Sequence, residues 1–444
     1  MIRRVVLLIL VLSAFCDALE RQPNADYHAR RERLAKEMTG GVLVLFAGTE
    51  AAGQNAVYGF KQDNNFYYLT GWSEPGAAVV IVSPVEATAD RAARPYSEML
   101  YLPAHNVAQE KWTGPKLGPE NPQAREVTGF DRVEVLDKMR DDLADALPQA
   151  SVTVYSDIPT GAETSASSDG LAWLKRANAF PNYVAFKDVK PMLGDLRRIK
   201  DAGEIALIRK ASDASIAGQA AALKAIHPGA TEREIAALQQ YEFSKRGCER
   251  PAYAPIVGSG FNSTVLHYSE DTGTLKDGDL VVMDVAGEYS MYASDITRTA
   301  PVNGHFTARQ REIYDIVYGA QQAAMKAFVA GKSTLYGNTP DSLVQVARDY
   351  INSHGKDLHG QPLGKYFIHG LGHYVGLEVH DAGSYTSPLQ PGMVFTIEPG
   401  IYIPEEKIGV RIEDDYYVDA DGKLVDYTAA LPHTADEIEQ TMKK

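Results

Sequence analysis

Apolar positions in the first 190 residues alternate between short unbroken runs and stretches at helical spacing. Residues 42–46, Val-Leu-Val-Leu-Phe behind Gly40-Gly41, form an apolar run of strand length, and 77–82, 99–102 and 152–155 read the same way. Helices are predicted over the charged stretch 30–38 and over 137–146 and 170–178. Such alternation implies an α/β domain, here assigned to residues 19–195.

The pattern changes near residues 191–200, where Pro191 leads into Arg197-Arg198-Ile199-Lys200. From Asp201 onward, Ile205, Ile208, Ala211, Ala214, Gly218 and Ala222 keep one helical face apolar or small, until His227-Pro228-Gly229 ends the helix. Thr231 with Glu234 and Thr307 with Gln310 have the form of capping boxes, the second opening a helix that carries 313–329. A further helix is expected over about 340–352. Strand-like runs at 279–286, 289–294, 393–397, 410–412 and 416–418 alternate with these helices. Residues 196–444 are therefore expected to be an α+β domain with helices over a mainly antiparallel sheet.

At 444 residues the chain is too long for one ordinary core, which agrees with two domains. Its net charge of −14, with no clustered Lys/Arg stripe, argues against a nucleic-acid partner. The N-terminus reads as an export signal. Arg3-Arg4 precede the apolar run 5–12, and Cys16 and Ala18 suit the −3 and −1 positions of a cleavage site after residue 18. The run is too short to span a bilayer about 30 Å thick. The expected mature protein is thus exported, periplasmic or extracellular. With residues 1–18 removed, Cys248 is the one remaining cysteine and no intrachain disulfide can form; it reads as a semi-buried apolar residue.

Candidate chemistry lies in the last third. Asp284 ends the apolar run Leu280-Val281-Val282-Met283, and Asp295 follows eleven residues later, where a hairpin would set them side by side. Adjacent buried carboxylates repel unless a cation lies between them, although either Asp taken alone reads more readily as structural, such as a turn cap. His369, His373 and His380 fall within twelve residues, beside Gly370 and Gly372, out of eleven histidines in the chain. The spacing His369-Gly370-Leu371-Gly372-His373 is not the helical His-Glu-x-x-His of zinc peptidases. Glu398 follows a strand and is turned by Pro399; Glu413 shares a strand face with Arg411. Four carboxylates and one imidazole would gather only around cations.

These segments resemble the pita-bread metallopeptidases, in their aminopeptidase P and prolidase branch. The order Asp, Asp, His, Glu, Glu is met by Asp284, Asp295, His373, Glu398 and Glu413 within Met-Asp-Val-Ala-Gly, Ser-Asp-Ile-Thr-Arg-Thr, His-Gly-Leu-Gly-His, Thr-Ile-Glu-Pro-Gly-Ile-Tyr and Val-Arg-Ile-Glu-Asp. His267 stands seventeen residues before Asp284, as in that branch, and residues 58–71 followed by Glu74-Pro75 resemble its N-terminal signature. The resemblance implies a curved pita-bread catalytic domain, two divalent ions and a preference for bonds next to proline. Oxygen donors with one imidazole favour Mn2+, with Zn2+ or Co2+ open. By the same resemblance Glu398 takes a proton from water, while His267 and His380 hold the substrate carbonyl and oxyanion. His369 is then expected to line the proline side, with Tyr402 and Arg411 as supporting contacts and Thr297 as a donor to a ligand carboxylate. Expected partners are peptides with proline second and other copies of the chain. Two enzyme readings stay open, an Xaa-Pro aminopeptidase and an Xaa-Pro dipeptidase; a silent binding protein on the same scaffold is a third.

Overall fold

The computed structural model describes residues 19–50, 57–89, 92–146, 152–158, 170, 172–175 and 184–443. The predicted export segment 1–18 lies outside them, as does part of 170–178, where residues 170 and 172–175 are helical.

The first domain is built on one six-stranded sheet, ordered Arg132–Val135, Ser97–Leu102, Ala78–Val82, Val42–Phe46, Thr153–Ser156 and Ala185–Asp188. Its three central strands are antiparallel and its outer pairings parallel. Leu43, Leu45, Val79 and Ile81 enter one core, while Val42, Val44, Ala78 and Val80 enter another on the opposite face. Burial on both faces explains why these strands read as unbroken apolar runs.

The charged stretch predicted at 30–38 belongs to a helix, Asn24–Glu37, but its charges are not all solvated. Arg30 and Arg31 are fully buried. Arg31 pairs with Glu98 through Nε and Nη2, at 2.7 and 2.8 Å. Arg30 Nη2 reaches Asp201 Oδ2 at 2.6 Å and its guanidinium lies over the Tyr68 ring. Asp201 caps the long helix Ala202–Ala225 in a capping box with Glu204, so this contact ties the first domain to the start of the second.

Beyond residue 200, every strand ladder among the described residues is antiparallel, as expected. Two similar units carry the fold. In the first, Leu280–Asp284 pairs with Thr297–Pro301 around a short hairpin, Gly287–Tyr289 with Tyr292–Ala293. In the second, Val394–Ile397 pairs with Asp414–Val418 around the hairpin Gly400–Ile403 with Ile408–Arg411. The helices Ala202–Ala225, Glu232–Ser244, Ala308–Ala327 and Leu343–His354 pack over these strands through one large apolar core. Both predicted capping boxes form, at Thr231/Glu234 and Thr307/Gln310.

One expectation needs correction, and one strand carried no signal. The run 289–294 is not one strand: Ser290 and Met291 have φ of 47° and 75°, and a two-residue turn reverses the chain there. Positive φ at both turn positions usually selects Asn or Gly, so Ser-Met carried no turn signal. The strand Thr297–Pro301 was unforeseen because Thr-Arg-Thr-Ala-Pro looks polar. Its Arg298 is fully buried, with Nη2 2.6 Å from Asp414 Oδ1.

Candidate metal centre

Pairing of Thr297 with Asp284 brings the end of Leu280–Asp284 beside the start of Thr297–Pro301, and so Asp284 beside Asp295. Ile397 opposite Asp414 does the same for Glu398 and Glu413. A single bridge, Thr297 with Glu413, joins the two units at this point. His373 enters from the glycine-flanked loop, held by hydrogen bonds in both directions with Thr396. Its Nδ1 lies 3.2 Å from the Tyr374 carbonyl, which assigns the proton there and leaves Nε2 as a donor to a cation. Nε2 is 3.3 Å from Asp295 Oδ2, 3.3 Å from Glu398 Oε1 and 4.0 Å from Glu413 Oε1.

The five residues line one cleft of about 300 Å³ together with His267, His369, His380, Tyr402 and Arg411. Ten of the eleven candidate site residues named from the sequence are therefore brought together here, and the eleventh, Thr297, reaches the group through Glu413. Arg411 donates to Asp284 Oδ2 at 2.6 Å and to the Tyr402 hydroxyl at 2.8 Å; Thr297 Oγ1 donates to Glu413 Oε2 at 2.6 Å. The backbone N–H of Asp295 is held by the Asp415 carboxylate. His369 Nε2 is 2.9 Å from the Tyr402 hydroxyl, and the His373 and His380 rings stack edge to face at 4.2 Å.

Charge in this cleft is not balanced by protein groups. Burial, followed by Asp284 and Glu398, pushes the Asp295 carboxyl well above its ordinary range. Burial and then Asp295 do the same to Glu413; burial also raises Glu398, against the pull of His373. Asp284 Oδ1 and Asp295 Oδ1 are buried without a hydrogen-bond partner. Buried, orphaned carboxylate oxygens around an imidazole nitrogen are what a divalent-cation site leaves when its protein ligands are viewed alone, so the donor set fits two such ions. The ligand atoms of Asp295, His373 and Glu413 lie within 4.8 Å of one another. By contrast, Asp414, Asp426 and His433 form a second acidic group whose two carboxylates are balanced by Arg298 and His433: burial works against the His433 charge, but its two carboxylate partners raise it to about 9.

Two of the substrate-side imidazoles, His369 and His380, are held neutral. Burial and then Arg411 push His369 down to about 3; burial and then His373 push His380 to about 4. Neutral imidazoles can donate to an oxyanion without adding charge.

Several cleft residues were not anticipated. Tyr336 and Tyr385 line it with rings stacked at 5.5 Å, giving an aromatic wall beside Tyr402. No spacing links them in sequence. Tyr253 borders an adjoining hollow with Asp284 and Asp295, and its hydroxyl is buried and unpartnered; the phenol is raised well above its usual range by burial and those two carboxylates. Cys248 is buried against Gly287 at the start of the strand Gly287–Tyr289, and burial raises its thiol to about 12, which keeps it protonated near neutral pH.

Residues 206–420 match metallopeptidase family M24, and residues 27–155 match the aminopeptidase P N-terminal domain. The Xaa-Pro aminopeptidase of Haemophilus influenzae is 33% identical over 451 residues, covering 96% of this chain and 98% of that protein. A solved structure of zinc-substituted Escherichia coli aminopeptidase P in complex with product aligns with a TM-score of 0.81 at 29% identity, over 95% of this chain and 99% of that one. The same enzyme with the inhibitor Pro-Leu gives 0.81 at 28% identity, with the same coverage. Both halves of the chain and the acidic cleft between its two strand units thus agree: the chain belongs to metallopeptidase family M24, with the two-domain architecture of aminopeptidase P, and is a metal-dependent exopeptidase.

Proposed function

We propose that the protein is an exported Xaa-Pro aminopeptidase that uses two manganese ions and removes one residue from peptides whose second residue is proline. The observation that carries this reading is the gathering of Asp284, Asp295, His373, Glu398 and Glu413 in one cleft that His267, His369 and His380 also line. Two divalent ions bound there would polarise the scissile carbonyl and make water acidic enough to react near neutral pH.

The protein's own groups supply the rest. Glu398 accepts the proton of the attacking water and passes it on to the leaving nitrogen. His267 and His380 steady the carbonyl oxygen as charge develops on it. An Xaa-Pro bond is a tertiary amide without an N–H, so the ring must be recognised by shape. Tyr336, Tyr385, Tyr402 and His369 offer a wall of flat faces for that purpose. A dipeptide that begins with proline, like the Pro-Leu inhibitor of the Escherichia coli enzyme, has the form of the product this reaction releases. Export is supported by the N-terminal pattern, and self-association by the single cysteine of residues 19–444, which leaves that part of the chain no intrachain disulfide to brace it outside the cell.

Hydrolysis of an Xaa-Pro dipeptide against an Xaa-Pro-Xaa tripeptide, with Mn2+, Zn2+ or Co2+ added to stripped protein, tests this reading. Faster turnover of the tripeptide with manganese is expected. Cleavage of the dipeptide alone would make the protein a prolidase instead.

A further inference from the structure

Two fully buried glutamines stand behind the acidic cleft, one for each strand unit. Gln219, on the helix Ala202–Ala225, places Nε2 3.1 Å from the Met283 carbonyl, 3.2 Å from that of Val285 and 3.0 Å from that of Ile296. These residues flank Asp284 and follow Asp295. Gln321, on the helix Ala308–Ala327, places Nε2 3.1 Å from the Ile397 carbonyl, 3.5 Å from that of Ile412 and 2.8 Å from Asp414 Oδ2. These adjoin Glu398 and Glu413. Each amide therefore spans the two strands that bear one pair of acidic groups, at the level where the regular ladder gives way to the hairpin.

Every neighbour of each Nε2 is an acceptor, which fixes the orientation of both amides. Both leave Oε1 buried with no partner. The bonding of both amides therefore lies wholly in their N–H groups, which hold the backbone beside the ligands. We infer that Gln219 and Gln321 are positioning residues for the metal centre, each setting the separation of one carboxylate pair: Asp284 from Asp295, and Glu398 from Glu413. Four acidic groups that repel one another would otherwise spread the strand ends apart before cations arrive, and the ions would have to draw them together on binding. This inference rests on the two-metal reading above.

A built-in control is Gln239, also fully buried, on the helix Glu232–Ser244, with neither amide atom hydrogen-bonded. Stripped wild-type protein, Gln219→Met, Gln321→Met and Gln239→Met are titrated with manganese by calorimetry, and the visible spectrum of each cobalt-loaded protein is recorded. The manganese dissociation constant is expected to rise about tenfold in each of the first two, with altered cobalt d–d band intensity, and to stay at the wild-type value in Gln239→Met. Should the methionine variants not fold, Gln219→Asn and Gln321→Asn, which withdraw the amide by one methylene, carry the same expectation. Wild-type affinity and spectrum in both clamp variants, or an equal loss in Gln239→Met, overturns the inference. Wild-type protein that takes up no manganese overturns the metal reading on which it stands.

Discussion

Arg411 Nη2 donates to Asp284 Oδ2 at 2.6 Å, and this contact decides which edge of the Asp284 carboxylate remains for a cation. Oδ1 is left buried and unpartnered. Arg411 is itself enclosed; burial disfavours its charge, but Tyr402, Asp284 and Glu413 hold it firmly protonated. Arg411→Met should weaken metal binding about 10- to 100-fold, because the ligand loses its fixed orientation. Calorimetric titration of stripped protein measures this, and unchanged affinity would contradict it.

Asp295→Asn should abolish hydrolysis while raising the thermal midpoint of metal-free protein. The sign follows from the raised proton affinity of Asp295. A carboxyl held protonated in the fold contributes stability below its ordinary range, which is lost as pH rises through the elevated value. At neutral pH the wild-type cluster is therefore a cost, and an amide removes part of it. Turnover retained by the variant would reject the site.

Loading the site should release protons. Asp295, Glu398 and Glu413 all hold protons more tightly than ordinary carboxyls, and a cation must displace them. Binding heats measured in buffers of different ionisation enthalpy give the number released. It should be positive and grow as pH falls; a value of zero across that range would exclude this account of the cluster.

Glu398→Gln should lower kcat by about 100- to 10,000-fold with KM little changed, as expected for loss of a group that moves a proton. Metal content has to be measured on the same sample, since Glu398 Oε1 also lies 3.3 Å from His373 Nε2. A variant that keeps its metal and its kcat would remove Glu398 from the proton path.

His369 ties stability to acid. Its folded value of about 3 lies below the 6.5 of a free imidazole, so the unfolded chain takes up the proton first and stability falls with pH between these values. The loss at pH 5 is about 2 kcal/mol. His369→Gln should flatten the change between pH 7 and pH 5 in urea unfolding, and an unaltered slope would show that this imidazole is not the source.

The candidate site was more legible than the fold around it. Asp284, Asp295, His373, Glu398 and Glu413 each sit in a short segment of their own, so their order survives in one dimension. The six-stranded sheet was legible because both faces of Val42–Phe46 and Ala78–Val82 are buried and the runs are unbroken. Other features depend on partners distant in sequence. Arg298 makes Thr297–Pro301 a core strand only because Asp414 waits 116 residues on. Arg31 is buried only because Glu98 receives it. Tyr336 and Tyr385 meet through tertiary packing, and nothing local distinguishes Ser290-Met291 from strand residues.

The link from Arg30 to Asp201 makes the halves of this molecule hard to separate. Asp201 holds the first turn of the helix that carries Gln219, and the guanidinium steadying it comes from the opposite end of the chain. Excising the leading half would strip that turn of its counterion and slacken the rod on which one ligand pair hangs. The N-terminal module is therefore a structural brace for the reaction centre, and catalysis should not be recoverable from the trailing half expressed by itself.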